Sequence, residues 1–397
     1  MSFQESATGA SSAAAAALAP SPAPVSTPAL LEAMLRSSPK ISDLFFSPGK
    51  PPLIEVNGRL APTGPRALTA DDTRRISADL IGNNQNALTT LRDHGSCDVS
   101  YSLANLARFR VNVFMQRGSC AIVMRVIPSS VPSFEALNLP AELKEVAGLR
   151  NGVVLVTGPT GSGKSSTLAA IIDLINQVQA YHILTIEDPI EFLHPHKSCI
   201  VHQRELHSDT PTFAHALRAA LRQAPKVILV GEMRDKETIE IAMEAAETGH
   251  LVLSTLHTID ASKTVERIIG VFPLAEQHTI RNRLAKSFRY IVSQRLLPRR
   301  DGTGRVAAME ILKSTLRTRE YVEKGEGDGK TLLDAMRSST TEGMQYFDGE
   351  IEKLVRAGTI TMDTGMAYAT NPGNFRLEMS DFTEDENKIK PDELLEP

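Results

Sequence analysis

The chain has 397 residues, of which 42% are hydrophobic, so it is long enough for two or three domains with separate cores. A net charge of -4 gives no support for a protein that mainly binds nucleic acid. The three cysteines form no CxxC pair, which excludes a four-cysteine zinc module, and no apolar run reaches the length of about 18 residues that predicts a membrane-spanning helix.

The first segment, residues 1–28, is rich in Ala, Ser and Pro and contains no lysine or arginine. A secretory signal needs a basic start and a strongly apolar centre, so this composition instead predicts a disordered leader. At the opposite end, residues 381–397 carry seven acidic residues against two lysines. Such a charge run predicts a solvated, disordered tail, with a partner-docking segment as the less favoured alternative.

The next segment, residues 29–128, is predicted to be a small α+β domain. It begins with a helical pattern and continues with ISDLFFSPGKPPLIEVNGRL, whose Pro-Gly turn and apolar alternation indicate a hairpin. Three further short strands are predicted in CDVSYSL, ARFRVNVFMQR and CAIVMRVIP. Residues 129–150 begin rich in Pro and Ser and end in a short helical pattern, so they are predicted to be a linker.

The largest segment, residues 151–380, alternates between strand and helix patterns, which predicts an α/β domain with a largely parallel sheet. Its buried strands are predicted in GVVLVTG, YHILTIED, KVILVGE and HLVLSTLH. After about Ala308 the pattern is mostly helical and includes an amphipathic stretch over 344–355.

A glycine-rich loop stands between the first of these strands and the helix that follows it. The stretch GPTGSGKSST fits the P-loop pattern G-x-x-x-x-G-K-[ST], in which glycines let backbone N–H groups turn toward phosphate. Lys164 is predicted to reach the β- and γ-phosphates, and Ser165 to ligate Mg²⁺. ATP and Mg²⁺ are therefore the predicted ligands, and a glycine–serine loop with an accidental lysine is disfavoured by the flanking strand and helix. The predicted phosphate-binding residues are Gly158, Pro159, Thr160, Gly161, Ser162, Gly163, Lys164, Ser165 and Ser166.

Carboxylates follow two of the predicted buried strands. ILTIEDPIEF supplies Glu187, Asp188 and Glu191, and VILVGEMRD supplies Glu232. Each acid alone is more often a surface charge or a helix cap. Because ligands of parallel α/β sheets bind at the carboxyl ends of the strands, the acids together predict groups that face Mg²⁺ or the attacking water.

Two histidines and two arginines complete the candidate residues. His250 and His257 bracket a predicted buried strand, and one of them could donate to the γ-phosphate or steer a loop across a subunit boundary. A structural role is the alternative for each. Arg110 and Arg125 lie on neighbouring predicted strands of the first domain. If that domain folds over the P-loop, either side chain can neutralise the transition state, and a solvent-facing position is the alternative.

These motifs, with DASKTVERIIGVFP after the second histidine, resemble those of the type IV pilus retraction ATPases of the PilT/PilU family, which belongs to the secretion ATPase superfamily. The resemblance covers roughly residues 30–380. It implies an α/β fold in which a RecA-like P-loop NTPase domain follows a smaller, PAS-like α+β domain. It also implies a homo-hexameric ring, with each nucleotide between the RecA-like domain of one chain and its own or a neighbour's N-terminal domain.

The resemblance also implies roles for single residues. Glu191 takes the place of the catalytic glutamate of the aspartate box, and Glu232 takes the Walker B position near magnesium. His250 and His257 match the histidine box, and the N-terminal arginines of the family match Arg110 and Arg125.

In cellular terms the resemblance implies a cytoplasmic motor at the inner-membrane base of the pilus. Such a motor uses ATP hydrolysis to disassemble the pilus, drives twitching motility, and contacts an inner-membrane platform protein but no nucleic acid. An extension or secretion motor is disfavoured by the cysteine count. A DNA motor is disfavoured because aromatic residues make up 5% of the chain and tryptophan is absent.

Two features depart from the usual PilT pattern. Before the Walker B strand the chain has Gln223-Ala224-Pro225-Lys226, where the family usually has acid-Pro-Asp. In addition, STLRTREYVEKGEGDGK stands where PilT proteins usually carry the retraction signature. The C-terminal stretches TTEGMQYFDGEIEKLVRAGTIT and NPGNFRLEM are more similar to PilU. These departures support an alternative in which the chain is an accessory ring component with little turnover that assists a second retraction ATPase.

Overall fold

A computed structural model describes residues 26–382, apart from 105, 129 and 328. The predicted leader and acidic tail lie outside the described residues, except at their inner ends. There the first helix already begins at Thr27, and Asp381 forms an ion pair of 2.8 Å with Arg356.

The N-terminal domain is one antiparallel sheet with three helices, and its strands lie in the order β3-β2-β1-β6-β5-β4. Its elements are α1 (Thr27–Arg36), β1 (Ile41–Phe46), β2 (Leu53–Val56), β3 (Arg59–Pro62), α2 (Ala70–Ile81), α3 (Gln85–His94), β4 (Ser96–Leu103), β5 (Ala107–Gln116) and β6 (Ser119–Ile127). The predicted hairpin and the three later strands are confirmed.

Strand β5 shows how the sequence divides the two faces of this sheet. Phe109, Val111 and Val113 are fully buried in the core of the domain. Since side chains alternate along a strand, Arg108 and Arg110 project from the opposite face. These two arginines therefore lie on the face of the sheet that points away from the core of the domain.

The larger domain is a seven-stranded sheet in the order β13-β12-β7-β11-β10-β8-β9, parallel except for the edge strand β13. Its strands are β7 (Gly152–Thr157), β8 (His182–Glu187), β9 (Ile200–Glu205), β10 (Val227–Val230), β11 (Leu251–Leu256), β12 (Phe288–Pro298) and β13 (Arg305–Lys313). Its helices before β12 are α4 (Lys164–Val178), α5 (Phe213–Ala220), α6 (Lys236–Glu247), α7 (Ala261–Gly270) and α8 (Leu274–Ser287).

Helices cover both faces of this sheet, as a parallel sheet requires. Helix α4 packs on one face, and α5 to α8 pack on the other. The central strands β7, β10 and β11 are buried along their whole length, which explains their predominantly apolar sequences. The predicted α/β fold class is confirmed, and the carboxyl ends of the parallel strands meet at one edge.

The first two helices after β13 pack into the core of the large sheet, and the last three form a separate small core on the β12–β13 hairpin. In chain order these helices are α9 (Leu316–Lys324), α10 (Leu332–Ser338), α11 (Phe347–Arg356), α12 (Met362–Tyr368) and α13 (Pro372–Glu378). The Arg295 guanidinium on β12 lies 3.8 Å from the ring centroid of Phe347 and donates to the carbonyl of Tyr368 at 2.6 Å. This arginine therefore joins the C-terminal helices to the large sheet.

Two features differ from the expectations. The predicted linker is packed rather than free, because Phe134, Leu143 and Val146 are buried in the core that contains β7 and α4. The predicted helical region after Ala308 begins later, because β13 continues to Lys313. Within residues 26–382, apart from the three gaps, no helix combines the length and apolar character needed to cross a bilayer.

Candidate active site

A cavity of about 590 Å³ opens at the edge of the large sheet where the parallel strands end. Its wall is built by the loops that follow β7, β8, β10 and β11, together with the beginning of β13. Thr160, Gly161, Gly163, Lys164, Ser165 and Ser166 of the P-loop line this wall. Gly158, Pro159 and Ser162 belong to the same loop but are not on the wall.

The shape of the P-loop depends on glycine at two positions that face β12. Gly158 has φ 144°, and a Cβ there would collide with the carbonyl oxygen of Gln294. Gly163 has φ 91° and is the N-cap of α4, and a Cβ there would lie 2.8 Å from the Gln294 side-chain nitrogen. Gln294 also accepts a hydrogen bond of 2.8 Å from Thr167. The loop and the first turn of α4 are thus held against β12.

Lys164 is buried and lies back over the loop. Its ammonium group donates to the carbonyls of Gly158 at 3.0 Å and Pro159 at 3.1 Å. Burial lowers the pKa of Lys164, and the carboxylates of Glu232 and Glu191 oppose that shift. The lysine and both predicted catalytic acids are therefore close enough to interact, as the P-loop hypothesis requires.

The loop after β8 carries Glu191 to the wall of the cavity, where its side chain is exposed. Glu187, at the end of β8, is buried, and burial raises the pKa of its carboxyl group. This carboxyl accepts hydrogen bonds from Thr185 at 2.6 Å, from Gln203 at 3.2 Å and from the Glu191 backbone at 3.3 Å. Both glutamates line the cavity, but the exposed Glu191 is free to meet a ligand, whereas the buried carboxyl of Glu187 supports the loop.

Glu232 follows β10 and is contacted by two cationic or polar side chains. Arg234 lies 2.5 Å from one of its carboxylate oxygens, and Nε2 of His257 lies 3.4 Å from the other. Nδ1 of His257 is 3.5 Å from the Thr160 hydroxyl on the P-loop. His257 therefore lies between the P-loop and the acid that ends β10.

The residues present fit a magnesium nucleotide. No group of three or more His, Cys, Asp or Glu side chains able to hold a metal occurs among the described residues. Mg²⁺ normally uses one or two protein oxygens and completes its shell with phosphates and water, so Ser165 and Glu232 are a sufficient set. His194 also lines the cavity, and its buried Nδ1 has no hydrogen-bond partner within the described part of the chain. This buried nitrogen gives a bound ligand a polar group to pair with at the wall.

The structure does not bring every predicted residue to this cavity. His250 precedes β11 and His257 follows it, so the strand places them roughly 20 Å apart at opposite edges of the sheet. The ring of His250 contacts the carbonyl of Ala245 at 2.9 Å instead. Within one chain His250 therefore does not reach the cavity, and a role for it at the nucleotide remains a prediction.

Arg110 and Arg125 are also absent from the wall of this cavity. They are direct neighbours on β5 and β6, and Arg125 pairs with Asp43 at 2.9 Å within its own domain. Both side chains are exposed. Within one chain they do not reach the P-loop, so a role in transition-state stabilisation remains a prediction that requires a neighbouring subunit.

The sequence analysis missed several residues of the site. Arg234 and Arg305 both line the cavity, and Arg305 reaches the Gly161 carbonyl at 3.5 Å. His194 lies near the predicted acids, and burial lowers its pKa to about 4, so its ring is neutral at neutral pH. The position of Arg234 two residues after Glu232 was an available signal, whereas Arg305 approaches only through the folding of β13.

Comparison with known proteins gives a consistent result. Residues 91–365 match the family described as "Type II/IV secretion system protein". The "Type IV pilus retractation ATPase PilT" of Pseudomonas aeruginosa is 43% identical over 334 residues, which cover 84% of this chain and 96% of the relative. The "Type IV pilus ATPase PilU" of the same organism is 40% identical over 336 residues, covering 85% and 87%.

A solved structure supports the same assignment. The structure described as "Crystal Structure of the Pilus Retraction Motor PilT and Bound ADP" superposes with a TM-score of 0.77 at 40% identity, and covers 88% of this chain and 98% of that one. The identities to PilT and PilU are too similar to separate the two. The chain belongs to the type II/IV secretion system protein family, in the group that contains PilT and PilU.

Proposed function

We propose that this protein is an ATP hydrolase that powers type IV pilus retraction. The observation that carries the proposal is the convergence of Lys164, Glu191 and Glu232 on one cavity at the carboxyl edge of the sheet. Relatives named as pilus retraction ATPases, and a neighbour with bound ADP, support this reading of the cavity. Together they favour hydrolysis of a nucleoside triphosphate over simple anion binding.

Each residue at the cavity has a distinct task in this proposal. The P-loop amides and Lys164 bind the phosphates, and Glu191 orients or deprotonates the attacking water. His257 senses the γ-phosphate from its place between Thr160 and Glu232. Mg²⁺, when bound, neutralises phosphate charge, and Ser165 with Glu232 would hold it.

A ring of identical subunits is the assembly that suits this site. The cavity is open to solvent on one side, and Arg110 and Arg125 project from the exposed face of the N-terminal sheet. In a hexamer, the N-terminal domain of a neighbour can bring these arginines to the nucleotide. The ring would lie at the cytoplasmic base of the pilus, against a platform protein of the inner membrane, alone or beside a second retraction ATPase.

A complementation experiment in cells tests retraction against the alternatives. A strain that lacks the gene receives the wild-type gene or the Glu191→Ala variant, and surface pili and twitching are measured. We expect the variant to give excess surface pili without twitching, because assembly continues while disassembly stops. Absence of surface pili would indicate an extension motor, and normal twitching with the variant would indicate an accessory role with little turnover.

Variants of His257 and His250 compare the two ends of β11. Loss of His257 removes a polar contact of the cavity worth about 1.4 kcal/mol, so His257→Ala should lower the rate of phosphate release about tenfold. His250→Ala is the matched control, because the same residue type is removed from the far end of the same strand. Phosphate release by the two purified variants gives the comparison. Equal losses in both would contradict the assignment of His257 to the site.

A further inference from the structure

The loop that carries Glu191 is fixed by side chains of two neighbouring strands. The Glu205 carboxylate on β9 accepts the Ile190 N–H at 3.1 Å, and Glu187 accepts the Glu191 N–H at 3.3 Å. Gln203 donates to the Phe192 carbonyl and accepts the His194 N–H, both at 2.9 Å. The backbone on both sides of Glu191 is therefore held by β8 and β9.

One member of this set also contacts the N-terminal domain. Arg108, on β5, donates from Nη2 to Oε2 of Glu205 at 3.1 Å, the same oxygen that accepts the Ile190 N–H. The second guanidinium nitrogen donates to the Ser102 hydroxyl on β4 at 3.0 Å. Arg108 of the N-terminal domain and the loop that carries Glu191 in the ATPase domain thus donate to the same oxygen of Glu205.

The ion pair between Arg108 and Glu205 is largely buried, so its loss is expected to be costly. The side chain of Glu205 is 4% exposed and that of Arg108 is 22% exposed. A buried carboxylate is strongly destabilised when the cation that pairs with it is removed. Glu205 would then turn toward water or other donors, and its hold on Ile190 would weaken.

We propose that Arg108 is a positioning residue, which holds Glu191 in place through Glu205 and makes hydrolysis depend on the docking of the N-terminal domain against its own ATPase domain. Arg108 does not line the cavity and touches no reacting group. Its action is indirect, through one carboxylate and one backbone N–H. The inference rests on the proposed ATPase activity only for its kinetic consequence, since the structural consequence is independent of turnover.

Hydrogen–deuterium exchange of the full-length protein tests the structural consequence. We expect the Arg108→Ala variant to exchange about fivefold faster in the amides of residues 190–194, because one supporting hydrogen bond is weakened. Arg92→Ala is the matched control, since it removes an exposed arginine of the same domain that pairs with its neighbour Asp93. Exchange in 190–194 that is equal in the two variants would overturn the inference.

Steady-state kinetics test the functional consequence. Arg108→Ala should lower kcat about tenfold and leave KM for ATP unchanged, because the glutamate is misplaced while the P-loop is intact. Arg108→Lys, which retains the charge, should recover most of the rate. A change in KM alone, or a full loss in the lysine variant despite normal folding, would contradict a positioning role.

A double-mutant cycle shows whether the two residues act together. Glu205→Gln keeps an acceptor for Ile190 and removes the charge that needs Arg108. The double variant Arg108→Ala/Glu205→Gln should therefore lose no more kcat than Arg108→Ala alone. Losses that multiply would indicate independent effects and overturn the inference. If the wild-type protein released no phosphate, the proposed function would fail, and the exchange measurement would still decide the role of Arg108.

Discussion

Replacement of Lys164 by alanine is expected to lower both ATP affinity and phosphate release by at least about 100-fold, the equivalent of roughly 2.7 kcal/mol. The ammonium group of Lys164 donates to two carbonyls of the P-loop at 3.0 and 3.1 Å, so it lies where the phosphates would bind. It also interacts with the carboxylates of Glu191 and Glu232. Without its ammonium group, the two carboxylates would repel a triphosphate. Titration with a fluorescent ATP analogue and a phosphate-release assay measure the two effects separately.

Lys226→Ala is the control for this variant. Lys226 is exposed at the amino end of β10, on the edge of the sheet opposite the cavity, so its loss removes the same charge without touching the P-loop. We expect ATP affinity and turnover within twofold of the wild-type values. Normal turnover in the Lys164→Ala variant would contradict the assignment of this cavity as the ATP site. A thermal unfolding curve for each variant excludes loss of folding as the cause.

The parts of the fold that were predicted correctly are those whose signal is local. The P-loop lies within a few residues of a buried apolar strand and a helix, and that context was complete in the sequence. The strands β7, β10 and β11 are predominantly apolar, and β8 carries Ile183, Leu184 and Ile186, because both faces of a parallel sheet are covered. In these regions, pattern and tertiary structure agree.

The strands β12 and β13 were missed because their conformation depends on pairing rather than on local preference. Helix α8 ends at Ser287 and β12 begins at Phe288, with no glycine or proline to mark the boundary. Strand β13 contains Ala-Ala-Met-Glu-Ile-Leu, a sequence of good helix formers. Its pairing with β12 along the whole of its length overrides that preference.

The site was predicted in its chemistry and only in part in its geometry. Acids after strands that follow a P-loop were sufficient to nominate a set of candidates, namely Glu187, Asp188, Glu191 and Glu232, all of which line the cavity. The choice of Glu191 as the catalytic glutamate came from the family resemblance. Histidines at the two ends of one strand look equivalent in sequence, although a strand separates its ends, which is why His250 was included. The support of the Glu191 loop by Gln203 and Glu205 requires the parallel pairing of β8 with β9, and no local pattern reports it.

The glutamate on that loop gives the sharpest test of mechanism. We expect Glu191→Gln to lower phosphate release by about 100- to 10,000-fold, the usual contribution of a general base, while ATP affinity stays within a few-fold of the wild-type value. The substitution preserves the size of the side chain and removes only its charge and basicity. Affinity measured with a fluorescent ATP analogue and single-turnover phosphate release distinguish a defect in chemistry from a defect in binding.

Two further glutamates serve as comparisons for this variant. Glu244 is exposed on α6, away from the cavity, so Glu244→Gln should leave turnover unchanged. Glu187 is the alternative base within the same loop region, but its carboxyl is buried and already accepts three hydrogen bonds. We therefore expect Glu187→Gln to be less damaging than Glu191→Gln. The reverse order, with Glu187→Gln inactive and Glu191→Gln active, would move the general base from the exposed glutamate to the buried one.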